Sequence, residues 1–282
     1  MGKFDGVLIA SDFDNTLVYT EGALRAGAEM PAISRENCEA IEYFMAQGGI
    51  FSVATGRALP SFEKVYRDVP MNGPTVLFNG AAIYDFAKQS YLYTAFLPED
   101  IRDHVKALLT ELPGLAFEIY HDDNSVHAIN PNELTLRHLH LTHSPTVTLR
   151  SIDEAPLPIS KLLFEEYEPV QRQIIDFFRR QSWGDAYEVV SSGNFLLEVT
   201  ARGANKGGMV RKLAELLGID RRHVYCVGDH ANDVPMLEFA HVPFAPKNAI
   251  HVVHQVPGIH ILPDCSDNAI ADMIAQIDGM YA

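Results

Sequence analysis

The stretch VLIASDFDNTLV, residues 7–18, runs apolar side chains straight into two aspartates, Asp12 and Asp14, with one phenylalanine between them. An apolar run of this kind with no polar face reads as a strand buried on both sides, as in a parallel sheet. Two carboxylates at the end of such a strand repel each other, and neither is cheaply removed from water. The pattern calls for something positive between them.

Neighbouring segments supply the rest of the sheet. GIFSVAT (49–55) is a second buried strand, and SRENCEAIEYFMAQGG (34–49) between them is an amphipathic helix. Ser34 suits its N-cap, Gly48 its C-terminal stop, and Cys38, Ile41 and Met45 share its inner face. Cys38 then reads as packing rather than as a nucleophile. TVLFNGAAIYD (75–85) reads as a third strand, giving a β-α-β-α-β opening and an α/β fold class. The same style returns late. NKGGMVRKLAELLGI (205–219) is a helix with Val210, Leu213 and Leu217 inward, followed by the strand HVYCVGD (223–229) and the helix NDVPMLEFA (232–240). Two short strands and a terminal helix from about Asn268 close the chain. Cys226 lies inside a buried strand and reads as packing.

The middle differs. PEDIRDHVKALLTEL (98–112) and PVQRQIIDFFRRQ (169–181) are helices, each followed by two candidate strands: LAFEIYHD and SVHAIN, then AYEVVSS and NFLLEVT. This α-β-β repeat flanks a less regular segment, 131–166, that contains the strand ISKLLFEEY. Short turns between strands predict an antiparallel sheet with helices on one side. A second, α+β domain, residues 86–198, is therefore expected as an insertion in a core made of residues 1–85 and 199–282.

Composition narrows the function. The 282 residues are 47% hydrophobic and 21% charged, with a formal net charge of −15. That balance argues against nucleic acid or an anionic membrane as partner, since both need a basic face, but leaves room for a small anionic ligand at a local positive site. The N-terminal apolar run is broken by Asp12 and resembles neither a signal peptide nor a membrane span. Three scattered cysteines, Cys38, Cys226 and Cys265, fit neither a disulfide framework nor a zinc motif, so a cytoplasmic, reduced protein is expected. HLHLTH (138–143) places His138 and His140 on one face if it is a strand; lacking a fourth ligand, it reads as surface decoration rather than a zinc site.

Four polar clusters stand where parallel sheets bind ligands, at strand C-termini. They are Asp12-Phe13-Asp14-Asn15-Thr16, Thr55-Gly56-Arg57, Lys206 at a helix start, and Gly228 to Asp233 in GDHAND. Together they form a phosphoryl-transfer set. Asp12, Asp229 and the backbone carbonyl of Asp14 offer hard oxygen ligands suited to Mg2+, the positive partner demanded by the opening stretch. Thr55 and the amides around Gly56 can donate to phosphoryl oxygens, and Lys206 adds a charge at a helix N-terminus. A carboxylate can act as nucleophile and form an aspartyl-phosphate.

DFDNTL, SVATGR, the lysine of NKG and GDHANDVPML resemble, in order, the four motifs of the haloacid dehalogenase-like phosphatases. The large insertion, FNGA (78–81) and KNA (247–249) resemble the Cof-type branch, with its C2 cap. The resemblance spans the chain and implies a Rossmann-like core with an inserted cap. It implies Asp12 as nucleophile and Asp14 as general acid/base, with Thr55 and Lys206 on the phosphate. Asp12, Asp14 through its backbone, and Asp229 would hold Mg2+. Asn232 would contact the phosphate region, Asp233 would support the metal shell or Lys206, and Arg57 would face substrate. One departure is Asn15, where the family usually has glycine; asparagine tolerates the left-handed turn conformation.

The expected activity is hydrolysis of small phosphorylated metabolites, such as sugar phosphates or nucleotide-precursor phosphates, by a monomer or small homo-oligomer. A sugar phosphomutase would use the same residues. A phospho-accepting signalling module would also use an aspartate, a threonine, a lysine and Mg2+, but the cap and Asp14 speak against it, because a general base speeds decay of the acyl phosphate. Specificity should come from cap side chains over the cleft, with Tyr120, His121, His127 and Glu166 as candidates. His230 reads as a loop histidine, with a place facing the cleft as the alternative, and Glu21, after VYT, as a neighbour of the site.

Overall fold

The computed structural model describes residues 2–20, 31–142, 145–192 and 195–281. Strand β1 (Leu8–Ser11), helix α1 (Arg35–Ala46) and β2 (Ile50–Val53) open the core, followed by β3 (Thr75–Leu77), β4 (Ala82–Asp85) and β5 (Ser90–Thr94). The inserted part holds α2 (Ile101–Glu111), β6 (Phe117–Tyr120), β7 (Val126–Ile129), α3 (Glu133–Thr142) and β8 (Thr146–Leu149). It continues with β9 (Lys161–Glu165), α4 (Glu168–Arg180), β10 (Tyr187–Ser191) and β11 (Leu196–Ala201). The chain then returns through α5 (Lys206–Leu217), β12 (Val224–Val227), α6 (Val234–Phe239), β13 (Val242–Pro246), β14 (His260–Leu262) and α7 (Ala269–Met280).

The core sheet is parallel throughout, in the order β14-β13-β12-β1-β2. Alternation along β1 explains why that run has no polar face. Ile9 packs with Ile41, Phe44 and Ile274 on one side, while Leu8 and Ala10 pack with Val210, Leu213 and Cys226 on the other. Helices thus cover both faces, and β1, β2 and β12 all deliver their C-terminal ends to one edge.

A six-stranded sheet in the order β10-β11-β9-β6-β7-β8 forms the cap. Its pairs are antiparallel except β7 with β8. Phe117, Ile119, Leu162, Phe164, Leu197 and Val199 point to a core shared with Ile101 and Val105 of α2 and with Ile174 and Phe178 of α4. The residues between them, including Tyr120, Lys161, Leu163 and Glu198, take the opposite face and line the space toward the core sheet.

Several expectations change. Residues 75–85 are two strands around the turn Phe78–Gly80, not one strand; they pair with β5 in a separate three-stranded sheet, tied to the core by the parallel bridge Ala54 to Val76. β5 follows the expected exit at residue 85 yet pairs with β4, and β11 runs through the expected return at 199. The HLHLTH stretch is helical up to Thr142, because Asn132 accepts from the amides of Leu134 (2.8 Å) and Thr135 (2.9 Å) and starts α3. His138 contacts Glu118, which lies opposite Phe117 and Ile119, so α3 covers the cleft side and the helices are not all on one side. The alternating leucines of this segment imitate a strand, and the cap overrides them. The inner face of α1 is Asn37, Ile41 and Phe44, leaving Cys38 half-buried. His143 and Glu21 lie outside the described residues. Among the described residues no helix is long and apolar enough to cross a membrane.

Candidate active site

A cleft of about 1140 Å3 separates the core edge from the polar face of the cap. Asp12, Asp14, Gly56, Arg57, Lys206, Asp229 and Asn232, from all four sequence clusters, line it. Thr55 and Asp233 stand behind that lining, fully buried.

Asp12 continues β1, its amide donating to the carbonyl of Val227 at 2.9 Å. The next loop turns back sharply: Asn15 adopts φ +55°, the left-handed conformation expected of it, and its carbonyl accepts from Asn248 Nδ2 at 2.8 Å. Asn248 also accepts from the Cys265 amide at 2.9 Å, so the KNA segment braces the loop after β1. Thr16 Oγ1 donates to Asp229 Oδ1 at 3.2 Å.

Lys206 is the centre of charge. Its ammonium donates to Asp12 Oδ1 and to Asp233 Oδ1, both at 2.6 Å. Burial alone would lower the Lys206 pKa, but the charges of Asp12 and Asp233 outweigh it and the result is a raised value. Asp233 is fully engaged, since Oδ2 accepts from the amides of Asp229 and His230, each at 3.0 Å. Burial, and then the charge of Asp233, push the Asp12 carboxyl well above the usual carboxylate range despite Lys206. The same two causes push Asp229 up to about 7. Oxygen atoms of Asp12, Asp229 and Asp233 lie within 4.8 Å of one another. A carboxylate cluster in which Asp12 and Asp229 resist ionisation fits a divalent cation, which replaces repulsion by coordination. Asp12 and Asp229 face the cleft and are the members free to bind it.

Asp14 points the other way. Arg57 grips it with two bonds, Nε to Oδ2 at 2.8 Å and a terminal nitrogen to Oδ1 at 2.7 Å, while the guanidinium lies 5.0 Å above the Phe13 ring. Burial works to raise the Asp14 pKa, and the Arg57 hydrogen bonds and charge overcome it, leaving a lowered value. Thr55 Oγ1 accepts from the Arg57 amide at 3.1 Å, so the second cluster orients this arginine.

The lysine helix is positioned by close backbone approach. Gly80, at φ +103°, sits where a Cβ would come within 2.2 Å of the Asn205 carbonyl carbon, and a Cβ on Gly207 would reach the Pro235 carbonyl oxygen at 2.2 Å. Asn205 caps α5 by accepting from the Gly208 amide at 2.8 Å. Gly207→Ala should therefore push α5 off α6, costing about 1–3 kcal/mol of stability. A shift of Lys206 by about 1 Å would also cost roughly 100-fold in turnover. Melting temperature and kcat, measured together, should both fall; an unchanged pair would mean that the contact is not needed.

Some lining residues escaped the sequence reading. His230 lies in the loop after β12, as expected, and also borders the cleft. Asn79, from the FNGA turn, accepts from Asn232 Nδ2 at 2.8 Å and donates to Glu198 on the cap, linking core to cap beneath the cleft. Glu198 is ion-paired at 3.0 Å with Lys161, whose ammonium lies 4.6 Å from the Tyr120 ring centre. The signal for Lys161 and Glu198 was available: charged residues at alternate positions of otherwise apolar strands. Of the four cap candidates, Tyr120 lines the cleft. His121 and His127 bond each other at 3.1 Å, and Glu166 accepts from the Ala116 amide at 3.1 Å.

Residues 9–274 match the model of the haloacid dehalogenase-like hydrolases, and the chain belongs to that family. Within it, the protein is a phosphatase of the Cof-type branch. A similar curated protein is the 5-amino-6-(5-phospho-D-ribitylamino)uracil phosphatase YwtE of Bacillus subtilis (strain 168), 26% identical, covering 97% of this chain and 99% of the relative. The putative phosphatase YxeH of the same organism is 29% identical over 86% of this chain and 88% of its own length. Among solved structures, the subclass IIB sugar phosphatase BT4131 shares the fold, with a TM-score of 0.80, 19% identity, and coverage of 96% of this chain and 98% of that one.

Proposed function

We propose that this protein is a Mg2+-dependent phosphatase that hydrolyses phosphate monoesters of small metabolites, sugar phosphates or nucleotide-precursor phosphates, through an aspartyl-phosphate on Asp12. The observation that carries this reading is the convergence at the cleft floor of Asp12, Lys206 and Asp229, with Asp14 two residues from the attacking carboxylate. The names of YwtE and BT4131 support a polyhydroxylated phosphate ester as substrate class. So does a cap wall that presents Tyr120, Lys161 and Glu198.

Asp12 attacks phosphorus, and Lys206 with the amides near Gly56 neutralises the phosphoryl oxygens. Asp14 protonates the leaving oxygen, then takes a proton from the water that cleaves the aspartyl-phosphate. To do so it must release Arg57, which then stands in the cleft beside the substrate. Asp12, Asp229 and the Asp14 carbonyl are the residues that would hold Mg2+, which supplies charge neutralisation for nucleophile and phosphate. Asn232 would contact the phosphate region, and Asp233 holds Lys206 in place.

A phosphate-release screen over a metabolite panel, with product analysis to separate hydrolysis from a mutase reaction, tests the reading. Activity should require Mg2+, accept Mn2+ or Co2+, and vanish with chelator. Ca2+ should inhibit, because its larger and looser shell misplaces nucleophile and phosphate. Full turnover in excess chelator, with no metal bound by elemental analysis, would remove the mechanism.

A further inference from the structure

The cap holds a second group of buried ionisable side chains, unused by the chemistry above. Alternation puts Glu118 of β6 and Glu165 of β9 on the cleft side of the cap sheet, and α3 lays His138 against them. Both glutamates are fully buried, while the His138 side chain is 20% exposed and lines the cleft. His138 Nδ1 is 2.9 Å from Glu118 Oε1 and 3.9 Å from Glu165 Oε1. One ligand atom from each of the three lies within 4.8 Å of the others. The outer oxygens are engaged: Tyr120 donates its hydroxyl to Glu118 Oε2, and Thr135 donates to Glu165 Oε2 at 3.1 Å. The inner oxygen of Glu165 is buried with no hydrogen-bond partner.

Two buried carboxyl groups side by side, one with an unpartnered oxygen, must share either a proton or a cation. Lys161, on the same face, is paired with Glu198. We infer that Glu118, His138 and Glu165 form a second cation site, in the cap wall, suited to Zn2+. An imidazole with two carboxylates is a donor set that zinc accepts, whereas Mg2+ favours oxygen alone. Three protein ligands leave a fourth position, and the partial exposure of His138 turns it toward the cleft. Tyr120 and Thr135 serve as the outer supports that such ligands normally carry. Zinc there would pin α3 to the sheet at the cleft wall, where α3 also meets the core through Lys64, whose ammonium donates to the Thr142 carbonyl at 3.2 Å.

The test uses the full chain, stripped with chelator and then held in excess Mg2+ to occupy the core cluster. Titration with Zn2+ by calorimetry should give one equivalent, and Co2+ in its place should give the visible absorption of a nitrogen- and oxygen-ligated site. His138→Gln and Glu165→Gln should each weaken Zn2+ binding by more than the roughly 10–100-fold typical of outer-shell changes. Asp12→Asn should keep the equivalent. Zn2+ should raise the melting temperature of the wild type and not that of Glu165→Gln. That variant keeps the shape of a buried carboxyl that burial and the neighbouring Glu118 already hold against ionising, and so keeps the fold even where His138→Gln does not. No zinc equivalent in the wild type would overturn the site. So would an equivalent lost in Asp12→Asn and untouched in Glu165→Gln; the three residues would then be a proton-sharing network.

Discussion

Asp12→Asn is expected to lose hydrolysis by several orders of magnitude while the protein stays folded. The amide keeps the shape of the carboxylate but is a poor nucleophile, and it removes one of the two cleft-facing carboxylates of the acidic cluster that could hold a metal. The surroundings predict a second, less obvious result. In the metal-free protein Asp12 is a reluctant anion, disfavoured first by burial and then by Asp233. Its neutral isostere relieves that repulsion, and Lys206 keeps Asp233 as partner at 2.6 Å. Melting curves in chelator should therefore place the variant at or above the wild type. Mg2+ should raise the wild-type midpoint and leave the variant nearly unmoved, because a ligand stabilises only the state that binds it. Retention of a tenth of wild-type turnover would mean that another group attacks phosphorus. A large fall in the metal-free midpoint would make Asp12 a structural residue.

Asp14→Asn should separate the two aspartates. If Asp14 is the general acid/base of the proposed cycle, the change removes proton transfer from both half-reactions yet keeps Asp12 and the backbone carbonyl of residue 14. General acid–base assistance is worth about 10²–10⁴-fold, so turnover of a sugar phosphate, whose alkoxide leaves badly, should fall by that order. An activated aryl phosphate needs little help in leaving, and its first step should suffer much less. The second step still lacks a base for water, so phosphorylated Asp12 accumulates and appears as a burst of aryl alcohol before slow turnover. Mg2+ affinity should change little. The Arg57 grip adds a further expectation: an asparagine offers one oxygen in place of two, so Arg57 is released more readily and phosphate-ester binding should not weaken. Equal slowing of sugar and aryl esters, with no burst and no trapped phospho-enzyme, would reassign Asp14 to ordering Arg57 or the metal shell.

The core was legible in the sequence because its strands are apolar on both faces and its polar residues cluster at strand ends. Asp12, Lys206 and Asp229 could be placed together from that pattern and from motif order. What could not be read is orientation and pairing. Nothing in SVATGR says that Arg57 reaches back 43 positions to hold Asp14 by two bonds. The turn of residues 78–81 hid inside an apparent strand because Phe78 and Asn79 both adopt positive φ, which side chains with a Cβ rarely do. In the cap, the leucine alternation of 134–141 looked like a strand, and the Asn132 cap decided for a helix. That one misreading moved His138 from a surface strand to the wall of the cleft.

The alternating cap sheet has a consequence for how such an enzyme can change over generations. Side chains that hold the cap together, such as Phe117, Leu162, Phe164 and Val199, face α2 and α4, while those that line the cleft occupy the positions between them. A substitution at 120, 161, 163 or 198 redraws the lining and leaves the α2 and α4 packing in place, but Tyr120 and Leu163 also pack against the core and Glu198 bonds Asn79 there. Change in the lining thus acts at the seam between cap and core, whereas the floor of the cleft is wired through Lys206, where one change disturbs Asp12 and Asp233 at once. Lineages built on this plan should diversify in what they dephosphorylate long before they alter how they do it.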